Sequence, residues 1–193
     1  WEGNNRLNRY NSWRAKSWRL AEALSNRMRL QFTSINKSGP GILASLLWQS
    51  YADLITSDPI HWQPEENKWI EFDRDAFRNP GTIGTCVFLS WHGREPIGFG
   101  SFDPRQRPAT GIIGHNCILP EFRGQGCGKQ QIIEILKRFI GLGIQTAKVT
   151  TNDHSFFAPA QRMYESCGFK ETGREPWDGD PKQSLIHYQK RIG

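Results

Sequence analysis

A strand, a glycine turn and a strong helix follow one another without interruption between residues 111 and 142. Residues 111–119 predict a buried strand. Residues 128–142 carry Ile132, Ile133, Ile135, Leu136, Phe139 and Ile140 as one broad apolar stripe, the clearest helix signal in the chain, with Gly141 and Gly143 to end it. Between them stands Ile118-Leu119-Pro120-Glu121-Phe122-Arg123-Gly124-Gln125-Gly126-Cys127-Gly128-Lys129, with glycines at alternate positions. Glycines so spaced let the backbone curl with its N–H groups facing inward. The helix that follows adds its unsatisfied N–H groups and the positive end of its dipole. The product is a pyrophosphate cradle.

Around this junction the patterning predicts further elements. Residues 12–28 read as an amphipathic helix, 29–36 as a strand, and 42–55 as a helix. Residues 57–81, with Pro59, Pro64 and Pro80, read as a loop with one or two short helices. Strands over 82–91 and 95–102 form a hairpin. Residues 145–151 are a short strand and 159–167 a helix with Pro159 in its first turn. Strands over 169–173 and 184–190 close the chain, joined by a loop over 174–182. The whole is a single mixed α/β domain, of the α+β kind, around a central sheet.

The length of 193 residues suits one domain with a sizeable core. Residues 1–26 are expected to be a basic, Trp-bearing N-terminal arm and helix, and 27–193 the folded domain. No apolar run is long enough for a membrane span. No secretory pattern is legible at the start, and Trp1 in place of Met is expected of a sequence that begins inside a longer product or after trimming. Cys86, Cys117, Cys127 and Cys167 lack metal-ligand spacing, so free, mostly buried thiols in a reducing, cytoplasmic compartment are expected, with no metal. The net charge of +6 admits nucleic acid, acidic substrates or a polyanionic cofactor.

A Walker loop fails at two places, because Gln130 follows Gly128-Lys129 and Arg123 stands where the first glycine belongs. A Rossmann fingerprint starting at Gly124 needs glycine at 129 and finds Lys129. What fits is Arg-x-x-Gly-x-Gly, from Arg123 through Gly126 to Gly128. Here the sequence resembles the GNAT superfamily of N-acetyltransferases. The preceding Leu119-Pro120-Glu121-Phe122-Arg123-Gly124 is similar to that family's lead-in. A second signature, Ala160-Gln161-Arg162-Met163-Tyr164-Glu165-Ser166-Cys167-Gly168-Phe169, resembles its later helix and turn.

The resemblance implies a central, mostly antiparallel mixed sheet flanked by helices, and acetyl-CoA as co-substrate. It implies that backbone N–H groups of Gln125, Gly126, Cys127, Gly128 and Lys129, with Arg123 and Gly124, hold the pyrophosphate. It implies that the strand end at Cys117, Ile118 and Leu119 pairs with the pantetheine arm, and that Tyr164 donates a proton to the departing thiolate. The bland alternative for Tyr164 is a core-facing ring. The family's usual Asn, seven residues before the tyrosine, is replaced here by Phe157, and Asn152 stands further upstream as the alternative cofactor contact or as a turn residue. His115, on the strand leading to the cradle, is the first candidate for general base, with Glu95 and Asp103 as alternatives. A solitary histidine in an apolar strand is also a common core group.

The acceptor is expected between the loops over 57–81 and 174–182, where Trp62, Trp69, Trp177 and Asp178 either wall an amine or pack the loops down. It is a small-molecule or peptide amine, with a homodimer, a longer acyl group and transfer to oxygen all open. Two other classes stand beside the enzyme: a catalytically idle acyl-CoA sensor of the same fold, and a nucleic-acid binder acting through the basic N-terminus.

Overall fold

The computed structural model describes residues 28–193. The expected arm over 1–26, and the helix expected over 12–28 save its last residue, lie outside them. One sheet of seven strands organises the rest, in the order β1-β2-β3-β4-β5-β7-β6. The strands are β1 Gln31–Ser34, β2 Val87–His92, β3 Glu95–Asp103, β4 Thr110–Ile118, β5 Thr146–Asn152, β6 Lys170–Trp177 and β7 Asp180–Arg191. Every neighbouring pair is antiparallel except β4 with β5, so the sheet is mixed and mostly antiparallel, as expected. The helices are α1 Ile42–Ser57, α2 Pro59–Trp62, α3 Glu65–Arg78, α4 Cys127–Gly141 and α5 Ala158–Ser166.

Both faces of the sheet are covered, which is why its central strands read as apolar runs and not as clean alternation. Alternation survives in where the side chains go. On β2, Val87 and Leu89 join Leu43, Leu46 and Leu47 of α1 and Trp69 of α3. Phe88, between them, joins Ile132, Ile135 and Phe139 of α4 and Tyr164 of α5 on the other face.

Two expectations need correction. Residues 57–81 are not mostly loop, because α3 runs for 14 residues. Its buried residues are Trp69, Asp73 and Ala76, a helical stripe with an acid inside it. Asp73 is buried because its carboxylate accepts hydrogen bonds from Gly41 N at 2.7 Å and Leu43 N at 2.9 Å. Gly41 is the N-cap of α1, at φ 94, and has no side chain to cap with, so α3 supplies the cap. An Asp73→Ala variant is expected to lose about 2 kcal/mol of stability in urea unfolding, the cost of stranding N–H groups that bonded a charged acceptor.

The segment 174–182 is also not a loop. Strands β6 and β7 pair down to Trp177↔Asp180. The edge position of β6 leaves its first seven residues exposed and lets it carry Pro176 without losing a ladder bond that the sheet needs.

One break in the sheet matters most. Strands β4 and β5 pair only at Thr110↔Thr146, Gly111↔Ala147 and Ile112↔Lys148. Beyond Ile112, β4 stays on β3 as far as Ile118 and β5 stays on β7 as far as Asn152. The two strands therefore diverge and open a wedge whose β4 side has an unpaired backbone edge.

Candidate active site

The wedge begins at a bulge. In the β3–β4 register Gly100 faces Asn116 and Phe102 faces Ile113, so the single Ser101 opposes both Gly114 and His115. Side chains fix the extra residue in place. Ser101 Oγ donates to the His115 carbonyl at 2.7 Å, and Asn116 Nδ2 donates to the Gly114 carbonyl at 3.1 Å.

Asn116 also reaches Tyr164 Oη, at 3.1 Å. A carbonyl can only accept, so the group that Asn116 presents to Gly114 is its NH2. The same NH2 meets Tyr164, whose oxygen therefore accepts and whose own hydrogen is directed elsewhere. The Tyr164 ring is 3% exposed and lies against Phe169 and Tyr188, with centroids 5.9 and 6.1 Å away. Burial pushes its phenol up to about 12, against the opposing pull of the Asn116 hydrogen bond. The ring of Tyr164 is core, and its tip is a protonated polar group beside the splayed part of β4.

His115 occupies the opposite side of β4. Its ring meets Phe72 of α3 edge-on at 5.0 Å. With Gly114 and Ser101 it lines a cavity of about 700 Å³ on the α3 side. The ring is open to that cavity but walled by protein, and this desolvation lowers its pKa, with Glu65 opposing and Lys68 assisting. Asp103 reaches the same cavity, but Arg105 holds its carboxylate at 2.6 Å and keeps it below the usual carboxylate range. Glu95 sits at the far end of β3, in register with His92.

The glycine turn has the expected form. Gly124 and Gly126 take φ values of 74° and 81°, and a Cβ on either would meet nothing within 4 Å. The left-handed conformation, not crowding, demands glycine there. Gly128 has a different reason, since its Cβ would lie 2.8 Å from Met163 Sδ where α4 and α5 meet. No side chain caps α4, and its first hydrogen bond runs from Gln130 N to Gly126 O, so the N–H groups of Cys127, Gly128 and Lys129 emerge at the turn.

Around the cradle, Arg123 directs Nε at the Ile118 carbonyl (3.1 Å) and Nη2 at the Ser50 carbonyl, and stacks over Phe156 at 5.4 Å. Its guanidinium thereby ties the turn to α1. Gln125 bonds the Glu121 carbonyl, and Lys129 extends toward the Ser166 carbonyl at 3.4 Å. Leu119 N–H is taken by Ile97 O at 2.8 Å, so alternation along the strand turns the Ile118 N–H toward the wedge. Cys117 and Cys127 are buried thiols; burial pushes Cys117 up to about 11 and raises Cys127 also. Neither is a nucleophile at neutral pH.

Asn152 ends β5 at 4% exposure. Its Oδ1 accepts from His154 N at 2.7 Å, while its Nδ2 has no partner among the described residues. Phe157 instead joins an aromatic belt, with ring centroids 5.2 Å from Trp62 and 5.9 Å from Tyr51. Of the tryptophans expected either to wall an acceptor or to pack the loops down, Trp62 and Trp177 stack on each other at 4.7 Å and Trp69 lies against Tyr51 at 5.3 Å. Asn116 and Tyr51 escaped the sequence reading. For Asn116 a signal existed, a glycine and an asparagine inside a strand, both disfavoured there without a bulge or a special role.

The acetyltransferase (GNAT) family model matches residues 48–169. A search of curated protein sequences gives no match. Among similar solved structures, a GNAT-family protein from Desulfovibrio desulfuricans superposes with a TM-score of 0.68 at 12% identity, covering 86% of this chain and 99% of that one. PH1933 from Pyrococcus horikoshii OT3 gives 0.61 at 16% identity, over 84% and 98%. The yncA protein from Salmonella typhimurium, solved with its cofactor acetyl-CoA, gives 0.60 at 16%, over 87% and 95%. At these identities the likeness is one of fold.

Proposed function

Because this chain belongs to the GNAT family of acetyltransferases, we propose that it moves an acetyl group from acetyl-CoA directly to a primary amine. The observation that carries the proposal is the wedge itself, with an unpaired β4 edge, a glycine cradle at its wide end and a protonated Tyr164 tip beside it. The residues present fit the cofactor. Open space at Gly124 and Gly126 receives the pyrophosphate beside the emergent N–H groups of α4, and Lys129 adds a positive charge. The orphaned Asn152 Nδ2 is a buried donor in want of an acceptor. When bound, acetyl-CoA supplies an activated thioester that an amine attacks.

The chain's own residues then do three things. The Ile118 N–H pairs with the extended arm along the open strand edge. His115, neutral at pH 7, takes the proton that the acceptor ammonium must lose before attack. Tyr164 holds a proton at Oη and delivers it to the departing sulfur, with Asn116 fixing the hydroxyl in place. The four free cysteines support a reducing, cytoplasmic setting for the reaction.

Isothermal titration with acetyl-CoA tests the cofactor, and thiol release on adding an amine tests transfer. Binding without thiol release from any amine would favour the idle sensor instead. The His115 role predicts a pH profile. Its lowered pKa puts the acid limb of kcat/KM below pH 6.5, the ordinary histidine value, and activity rises with pH through that limb. A His115→Gln variant is expected to lose that limb. Retention of the limb in the variant would remove His115 from the mechanism.

A further inference from the structure

The cavity beside the bulge has a definite charge balance. At its inner wall stand Gly114 and His115, the residues that the bulge exposes. Around its rim stand Asp103, Arg105 and Arg107. Asp103 is the one carboxylate among the described lining residues, and Arg105 binds it through two nitrogens, Nε at 2.9 Å and Nη2 at 2.6 Å. Those two charges cancel. The protein walls around His115 lower its pKa and so disfavour a positive charge there. Arg107 makes no ion pair with any described residue, so among the described residues its guanidinium is the one cation of the lining without a carboxylate.

The lining of the cavity offers no free carboxylate to a second cationic centre, and Glu65, whose charge acts on His115, is engaged by Lys68 at 2.7 Å, so a polyamine or aminoglycoside leaves its extra charges unpaired. It offers a fork of donors to one anion, the geometry that a carboxylate accepts in bidentate fashion. Phe72, Val87 and Phe102 give it apolar walls for a hydrocarbon body. Its volume of about 700 Å³ takes a molecule larger than the smallest amino acids.

We propose that the acceptor is a carboxylate-bearing amine of amino-acid type, anchored by Arg107 at the rim of this cavity with its amine directed to His115 at the bulge. The inference rests on the acetyltransferase reading and specifies its acceptor. The transfer balances: the ammonium gives one proton to His115, the amine nitrogen bonds the acetyl carbon, the carbon–sulfur bond breaks, the thiolate takes a proton from Tyr164, and the second proton shed by the acylated nitrogen restores the Tyr164 phenol while His115 returns its own to solvent.

The test is a panel of the twenty amino acids and their amides, each supplied with acetyl-CoA and followed by thiol release and by mass. Binding of acetyl-CoA alone is measured beside it by calorimetry. At least one acid is expected to exceed its own amide by on the order of tenfold in kcat/KM. An Arg107→Gln variant, altered only at an exposed side chain, is expected to raise KM for that acid about tenfold and to erase the preference, leaving kcat and acetyl-CoA affinity as they were. These factors correspond to the loss of one charge-assisted pair. Equal rates for acid and amide, acetylation of spermidine in preference to any acid, or no acetylation of any acid would each overturn the proposal. Failure to bind acetyl-CoA would instead overturn the acetyltransferase reading beneath it.

Discussion

Replacing Gly126 by Glu is expected to weaken acetyl-CoA binding by at least on the order of a hundredfold, about 2.7 kcal/mol. Two causes act together. The residue sits at φ 81, where a side chain is strained, and its Cβ direction leads into open space at the mouth of α4. On the proposed function, that space receives the pyrophosphate of the cofactor. A carboxylate there sets negative charge against negative charge at the one helix end built to attract anions. The strain alone costs roughly 1–2 kcal/mol, so the variant still folds, which a thermal melt checks. A Gly126→Ala variant carries the strain without the charge and is expected to retain most of the affinity. If calorimetry finds the Glu variant binding as the parent does, the phosphate site lies elsewhere and the cofactor assignment fails.

The second large effect concerns Tyr164. A Tyr164→Phe variant is expected to lose roughly 10²–10⁴-fold in kcat, the range of a general acid, while binding acetyl-CoA as before. The ring of Phe fills the same space against Phe169 and Tyr188, and Asn116 keeps its bond to the Gly114 carbonyl. What disappears is one proton at one atom. Full turnover in the variant would place the donor elsewhere. Tyr51 is the alternative to test: burial raises its phenol, and its ring lies against Phe156 and Phe157 at 5.5 and 5.9 Å, beside the end of β5.

The parts of this fold that were legible in the sequence are those specified by neighbours along the chain. The apolar stripe of α4, the glycines at 124, 126 and 128, and the Pro159 start of α5 all announce themselves within a few residues. Helix α3 did not, because its stripe closes only if Asp73 counts as an inward residue. The partners that make it so are N–H groups of Gly41 and Leu43, some thirty residues away. The two closing strands were read, but their extension through 174–182 was hidden for a related reason. Pro176 and the turn residues mark a loop locally, and only the edge position of β6 in the finished sheet makes them compatible with a strand.

The site divides in the same way. The cradle was legible because backbone conformation carries it, and glycine reports conformation directly. The Tyr164 position was legible through its flanking helix. The bulge was not, and with it went Asn116, because a bulge is a relation between two strands. Nor did tryptophan spacing show that Trp62 and Trp177 would find each other instead of a ligand.

The bulge also resets the parity of its strand. Ile113 belongs to the core beneath α4, and Asn116 reaches Tyr164 on that same side, although the two residues are an odd number apart. One extra residue makes both possible. Strand β4 thus turns its odd-numbered residues toward α4 as far as Ile113 and its even-numbered ones from Asn116 onward. A substitution at His115 keeps the extra residue, whereas deleting it or Gly114 would restore a single phase. Ile113 and Asn116 would then be driven to opposite faces, and the strand would have to give up either its core or its site. In this chain the length of β4 is as much a functional determinant as any residue within it.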